Sequence, residues 1–261
     1  MGRIEETFSE LKRHGRKGII PFITAGDPDL DTTGEILVEL AGAGATVIEL
    51  GVPFSDPMAD GPVIQRASER ALRHSLGAGD ILGVVASVRR TIETPIILFS
   101  YFNPLLQFGL KRLASEARAA GVDGVLVTDL SPEEAGEFES ELRANDLDMI
   151  FLIAPTSTDE RLKLVAQHAR GFIYAVSRAG VTGVRTSVSA EAERLVNRMR
   201  QFSSLPIAVG FGISNRDQVN DVHRYAEAVV IGSAIVSEIE RLQGATTTAK
   251  RVGEFVKQFS D

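Results

Sequence analysis

Two carboxylates eleven residues apart, Glu49 and Asp60, are the groups in this chain best placed to move protons. Glu49 lies inside the apolar run Val47-Ile48-Glu49-Leu50-Gly51-Val52, which reads as a strand. Charged side chains are almost never fully buried unless they are paired or functional. The structural alternative is an ion pair inside the sheet, yet no Lys or Arg falls within any candidate strand. A carboxyl buried without a cation has its pKa raised toward the range that suits a general acid or base near neutrality. Asp60 follows on a turn-rich loop with Pro53, Pro57 and Gly61. Asp-Gly is also an everyday turn, and Asp60 could simply precede a helix starting near Pro62. Its nearness to the end of Glu49's strand is what nominates it.

A second kind of chemistry is written in glycine. Gly210-Phe211-Gly212-Ile213-Ser214 follows one apolar run, and Gly232-Ser233 follows the next. Glycine lets backbone N–H groups approach an anion closely, and a helix start adds partial positive charge. The plain alternative is a pair of turn glycines. Gly183, in a long loop further upstream, offers one more N–H. Phe22, Phe99, Tyr101, Phe102, Tyr174 and Phe211 lie on candidate strands or at their ends. Most are expected to be core, and a few could form an apolar slot beside the phosphate loops.

Absent residues narrow the reaction. The chain has no cysteine, so disulfide and thiolate chemistry are excluded. Its six lysines fall in helices or outer loops, leaving no obvious Schiff-base nucleophile. The four histidines sit away from strand ends and build no metal site. A net charge of −7 without a basic stripe argues against nucleic acid. No apolar run is long enough to span a membrane, and the N-terminus lacks a signal-peptide core. A reducing cytosol is the expected home. What remains is proton transfer by carboxylates, without metal or cofactor, on a flat substrate carrying a phosphate.

These groups need a scaffold, and the chain alternates apolar runs with helix-period stretches from end to end. The strand candidates are 19–26, 46–53, 95–102, 124–130, 149–155, 171–177, 206–212 and 228–235. They are continuous rather than alternating, as in parallel strands covered on both faces. Asp80, Ser131, Ser189 and Ser214 are expected helix caps. The turn after the first run lacks the glycine fingerprint of an open dinucleotide-binding sheet. The expected fold is therefore α/β, a single-domain (β/α)8 TIM barrel over residues 1–261. A helix near residues 5–14 precedes it and is expected to close its base. The units after the second and sixth strands are long and nominate two functional loops, DPMADGP and SRAGVTGVRTS.

The stretch IELGVPFSDPMADG resembles the signature of the tryptophan synthase alpha subunit family, and PFITAGDP, FNP, SRAGVTG, GFGIS and GSAIV follow in that family's order. The resemblance covers essentially the whole chain. It implies cleavage of indole-3-glycerol phosphate to indole and glyceraldehyde 3-phosphate, with Glu49 and Asp60 as the catalytic acids. Gly183, Gly212, Gly232 and Ser233 match the family's phosphate loops, while Phe22, Tyr174 and Phe211 match its indole pocket. Thr182 matches a lid residue that closes onto the aspartate. The resemblance also implies a beta subunit as partner, in an alpha2beta2 tetramer, with pyridoxal phosphate only in that partner. Phe54, Asp56, Pro57 and Met58 would lie at that contact. One departure stands out: Thr128-Asp129-Leu130-Ser131-Pro132 replaces the family's P-D-L-P, which bears on the pocket wall at Thr128. The competing reading is a catalytically silent barrel retained to activate a partner enzyme, against which the intact Glu49 and Asp60 argue.

Overall fold

The continuous apolar runs become strands because both of their faces are covered. In the computed structural model, which describes residues 2–176, 190–210 and 212–260, eight parallel strands close into a barrel in chain order. They are β1 (Gly18–Thr24), β2 (Ile48–Gly51), β3 (Ile96–Ser100), β4 (Gly124–Val127), β5 (Asp148–Ile153), β6 (Ile173–Val176), β7 (Ile207–Gly210) and β8 (Ala228–Ile231). The ring is sealed where Gly18 pairs with Ala228 and Pro21 with Ile231.

Twelve helices surround this ring among the described residues. The first half contributes α1 (Arg3–Arg13), α2 (Leu30–Gly42), α3 (Pro62–Leu72), α4 (Ala78–Val88), α5 (Phe102–Phe108) and α6 (Leu110–Ala120). The second half contributes α7 (Gly136–Ala144), α8 (Asp159–His168), α9 (Ala190–Met199), α10 (Arg216–His223), α11 (Ser233–Arg241) and α12 (Thr248–Lys257). The long unit after β2 thus holds the loop carrying Asp60 and two helices. The loop expected after β6 falls on residues 177–189, outside the described residues, as does Ser189.

Strand residues alternate between two cores, which fixes where each side chain points. Ile48 and Leu50 of β2 face outward into the layer beneath the helices, with Ile96, Leu98 and Val125. Val47, Ile97, Leu126 and Ile150 face the barrel's interior. Helix α1 completes that interior core from below. Its Ile4 and Phe8 are buried there, and the Phe8 ring lies 5.8 Å from that of Phe172. Asp123 ties the same end together, accepting from Arg3 at 3.0 Å, from Arg89 at 2.6 Å and from the Ile96 N–H at 2.9 Å.

Element boundaries depart from expectation where composition misleads. The eighth run was expected to continue to Ile235, but the strand stops at Ile231 and Ser233 opens α11. Ile235, Val236 and Ile239 are apolar because α11 is buried, not because the strand goes on. Asp80 is not the cap of α4. It stands inside the first turn, and its Oδ2 accepts from the N–H of Gly77 at 2.9 Å. Ser131 is likewise no cap: residues 131–134 form a turn in which Ser131 Oγ donates to Glu134, and α7 begins at Gly136. Asn215, not Ser214, caps α10, accepting from the Gln218 N–H at 3.0 Å.

Candidate active site

Register places Glu49 between Phe22 of β1 and Ile97 of β3, and alternation turns its side chain inward with Val47. The carboxyl is 1% exposed, and among the described residues neither oxygen has a hydrogen-bond partner. Burial alone pushes its pKa well above the usual carboxylate range. Glu49 therefore holds its proton more tightly than an ordinary glutamate, in a barrel interior lined by apolar groups. The ion pair that would have made it structural is absent from the described residues.

Asp60 arrives on the loop between β2 and α3. Pro57 O accepts from the Asp60 N–H at 3.0 Å, and Gln65 Nε2 donates to the Asp60 carbonyl at 2.9 Å. Tyr101, at the end of β3, holds the same loop twice: its Oη accepts from the Ala59 N–H at 2.8 Å and donates to Asp60 Oδ2 at 3.3 Å. Burial raises the Asp60 pKa to about 6, and the tyrosine's hydrogen bond restrains that rise. Tyr101 was legible only as one of several aromatics near the mouth; its grip on Asp60 depends on a contact 41 residues away in sequence.

Two aromatic side chains lean across glycines of neighbouring strands. A Cβ added at Gly51 would sit 2.7 Å from Phe22 Cζ, and one at Gly210 would sit 2.2 Å from Tyr174 Oη. Gly210 is thus the last residue of β7, needed for close approach of the tyrosine rather than for an anion. The Phe22 ring also meets Phe99 edge-on at 5.1 Å. Burial raises the Tyr174 pKa, and the carboxylates of Glu49 and Asp60 add to the rise, so this phenol lies within electrostatic reach of both. Phe22, Thr24, Asp60, Ile64, Phe99 and Tyr101 line one cleft. Thr24, which drew no notice in the sequence, is buried there with its hydroxyl unpartnered among the described residues.

The glycine loops sit on the same rim. Gly212 has φ +72°, a conformation that L side chains rarely adopt, just beyond β7. Gly232 caps α11 without a side-chain bond, and Ser233 begins the helix. The first N–H groups of that helix have no carbonyl of their own turn to bind, which suits them to an anion. Gly183, Thr182 and Phe211 lie outside the described residues. Phe54 stacks near Tyr101 at 5.2 Å, and Asp56, Pro57 and Met58 form the turn before Asp60, with Met58 88% exposed. Thr128 follows β4, its N–H donating to Ser100 O at 2.9 Å. Among the described residues no group of three or more His, Cys, Asp or Glu is arranged to hold a metal ion. None of their helices is long and apolar enough to cross a membrane.

The fold and site define a TIM-barrel protein whose acids, aromatics and glycine loops gather at the C-terminal rim of the strands, where barrels of this kind carry their chemistry. The family profile described as tryptophan synthase alpha chain matches residues 8–261, and the chain belongs to that family. It is 51% identical to the tryptophan synthase alpha chain of Geotalea daltonii over 244 residues, covering 94% of this chain and 92% of that one. Identity to the Geobacter sulfurreducens alpha chain is 50% over 259 residues, covering 99% and 96%. Among solved structures, the alpha subunit from Legionella pneumophila str. Paris superposes with a TM-score of 0.91 at 38% identity, covering 100% of this chain and 97% of that one. A tryptophan synthase structure from M. tuberculosis, in an aminoacrylate-bound form, gives 0.89 at 32% identity, covering 100% and 98%.

Proposed function

We propose that the protein cleaves indole-3-glycerol phosphate into indole and glyceraldehyde 3-phosphate, as a carbon–carbon lyase acting through Glu49 and Asp60. The observation that carries this reading is a fully buried carboxyl inside the barrel, raised in pKa and without a hydrogen-bond partner among the described residues.

Breaking the bond between ring and side chain requires a proton on the ring carbon, so that indole can leave. It also requires the loss of a proton from the neighbouring hydroxyl, so that the aldehyde can form. Glu49, whose burial favours the protonated form, gives the first proton, and as a carboxylate takes the second. Positive charge grows on the ring nitrogen as its carbon is protonated, and Asp60 accepts the N–H hydrogen bond and stabilises that charge. Phe22, Tyr174 and Phe211 sandwich the ring. Gly183, Gly212, Gly232 and Ser233 hold the phosphate through backbone N–H groups and the start of α11. Grip at both ends lays the scissile bond beside Glu49.

In this reading the whole barrel is one domain and needs no cofactor or metal of its own. Its partner is a beta subunit in an alpha2beta2 assembly that carries the pyridoxal phosphate. Phe54, Asp56, Pro57 and Met58 meet that partner, and Thr182 belongs to a lid over Asp60. The cytoplasm is the setting that fits a cysteine-free biosynthetic chain.

The test is indole release, followed spectrophotometrically, with and without a beta subunit. Wild type should release indole slowly alone and faster with the partner. Glu49→Gln should lower kcat by about 10²–10⁴-fold, the usual contribution of a positioned general acid–base. Turnover unchanged in both Glu49→Gln and Asp60→Asn would remove the catalytic assignment.

A further inference from the structure

Three segments that leave the site are fastened to one another at a distance from it. The turn after β1 carries Asp27, α3 carries Arg66 and Arg70, and α11 carries Glu240. Nε and Nη2 of Arg70 each donate to one Asp27 oxygen at 2.8 Å, while Nη1 donates to Glu240 at 2.8 Å. Arg66 grips the same glutamate with two further bonds of 2.8 Å. The Arg70–Asp27 pair is no loose surface contact, whereas the Arg66 and Glu240 side chains are 48% and 30% exposed. Asp27 is 1% exposed, the Arg70 side chain is 13% exposed, and the fork geometry is bidentate. The hydrogen bonds from Arg66, helped by Arg70, hold the Glu240 carboxyl down at about 2. Phe22, Ala67 and Val236 pack together between the same three segments.

Each fastened segment begins at a different part of the site. Helix α3 starts two residues after Asp60, and α11 starts at Ser233 in the phosphate loop. We propose that Arg70 is a positioning residue: by clasping α11 to α3 and to the turn after β1, it sets the separation between Asp60 and the phosphate-holding head of α11. The inference rests on the reading of α11 as the phosphate end. Helices move as rods, and misplacement of about 1 Å between two grips on one substrate can lower turnover on the order of 10²-fold. A substrate held at both ends senses that distance. A fragment held at one end does not.

The experiment compares the whole substrate with its halves, using the full chain with its beta subunit. Glycerol 3-phosphate probes the phosphate end and indole the ring end, both by calorimetry, while indole release reads turnover. Arg70→Met should bind each fragment within about twofold of wild type, yet lose roughly 30- to 100-fold in kcat with KM rising less than about threefold. Arg70→Lys, which keeps the charge but not the fork, should recover only part of that loss. Glu240→Gln removes the charge and one acceptor oxygen, weakening the link to α11 while sparing the Arg70–Asp27 pair, and should show the same split at roughly 5- to 10-fold. It carries the test alone if Arg70→Met does not accumulate folded. Fragment affinities falling in step with turnover would make Arg70 merely structural and overturn the proposal. Wild-type turnover in the variants would overturn it too, leaving the phosphate reading intact. If wild type does not bind glycerol 3-phosphate, the phosphate reading fails and the clamp falls with it.

Discussion

At the scale of single residues, Glu49 sets catalysis against stability. Burying a polar group without a hydrogen bond costs about 1–3 kcal/mol in proteins. Glu49→Leu should therefore raise the unfolding free energy by roughly that much while abolishing indole release, which denaturant titration and the indole assay will read together. The sign of the pH dependence follows from the raised pKa of Glu49 in the folded state. The unfolded chain ionises this group first, so wild-type stability should fall as pH rises above the ordinary glutamate range, and Glu49→Leu should flatten that slope. Asp60 gives a kinetic counterpart. In the proposed role it must be ionised to accept the ring N–H, and burial pushes its pKa up to about 6. Plots of kcat/KM should show an acid limb near pH 6 that Asp60→Asn removes. Because the Tyr101 hydrogen bond lowers that pKa, Tyr101→Phe should move the limb upward; a limb that stayed put would show that the 3.3 Å contact is inert.

At the scale of elements, the strands were legible because each is apolar on both faces, and the helices because their faces repeat at helical spacing. Helix starts were not. Asp80 and Ser214 have the composition of caps, yet each lies one to three residues from the position that performs the capping, because a neighbouring Gly or Asn fits the extended conformation there. Arg66 and Arg70 look in sequence like a solvated face, since their partners lie 43 and 170 or more residues away. Glu49 stood out because a charge inside an apolar run violates a strong rule, and Asp60 only through its nearness to that strand's end, whereas Tyr101, Thr24 and Arg70 violate no rule. Gly210 offers a test at this scale. Its Ala variant would place a methyl against Tyr174, so it should raise KM for the ring-bearing substrate while leaving glycerol 3-phosphate binding within about twofold, as calorimetry would show.

At the scale of the whole molecule, the barrel is a vessel finished at its base by α1. Phe8 and Ile4 complete the interior core far along the chain from Phe172 and Ile150, with which they share it. Phe8→Ala should lower stability by about 3–5 kcal/mol and shift the denaturation midpoint, with turnover per folded molecule unchanged, since the rim is untouched. The stopper has a further outcome for traffic. Among the described residues the base is closed, so both halves of a cleaved molecule would depart through the opening by which it came in. If glycine loops tether the sugar-derived half and aromatic walls the ring, as proposed, the order of departure is decided by whichever hold slackens first. Any protein seated over that doorway meets the freed ring before bulk water does.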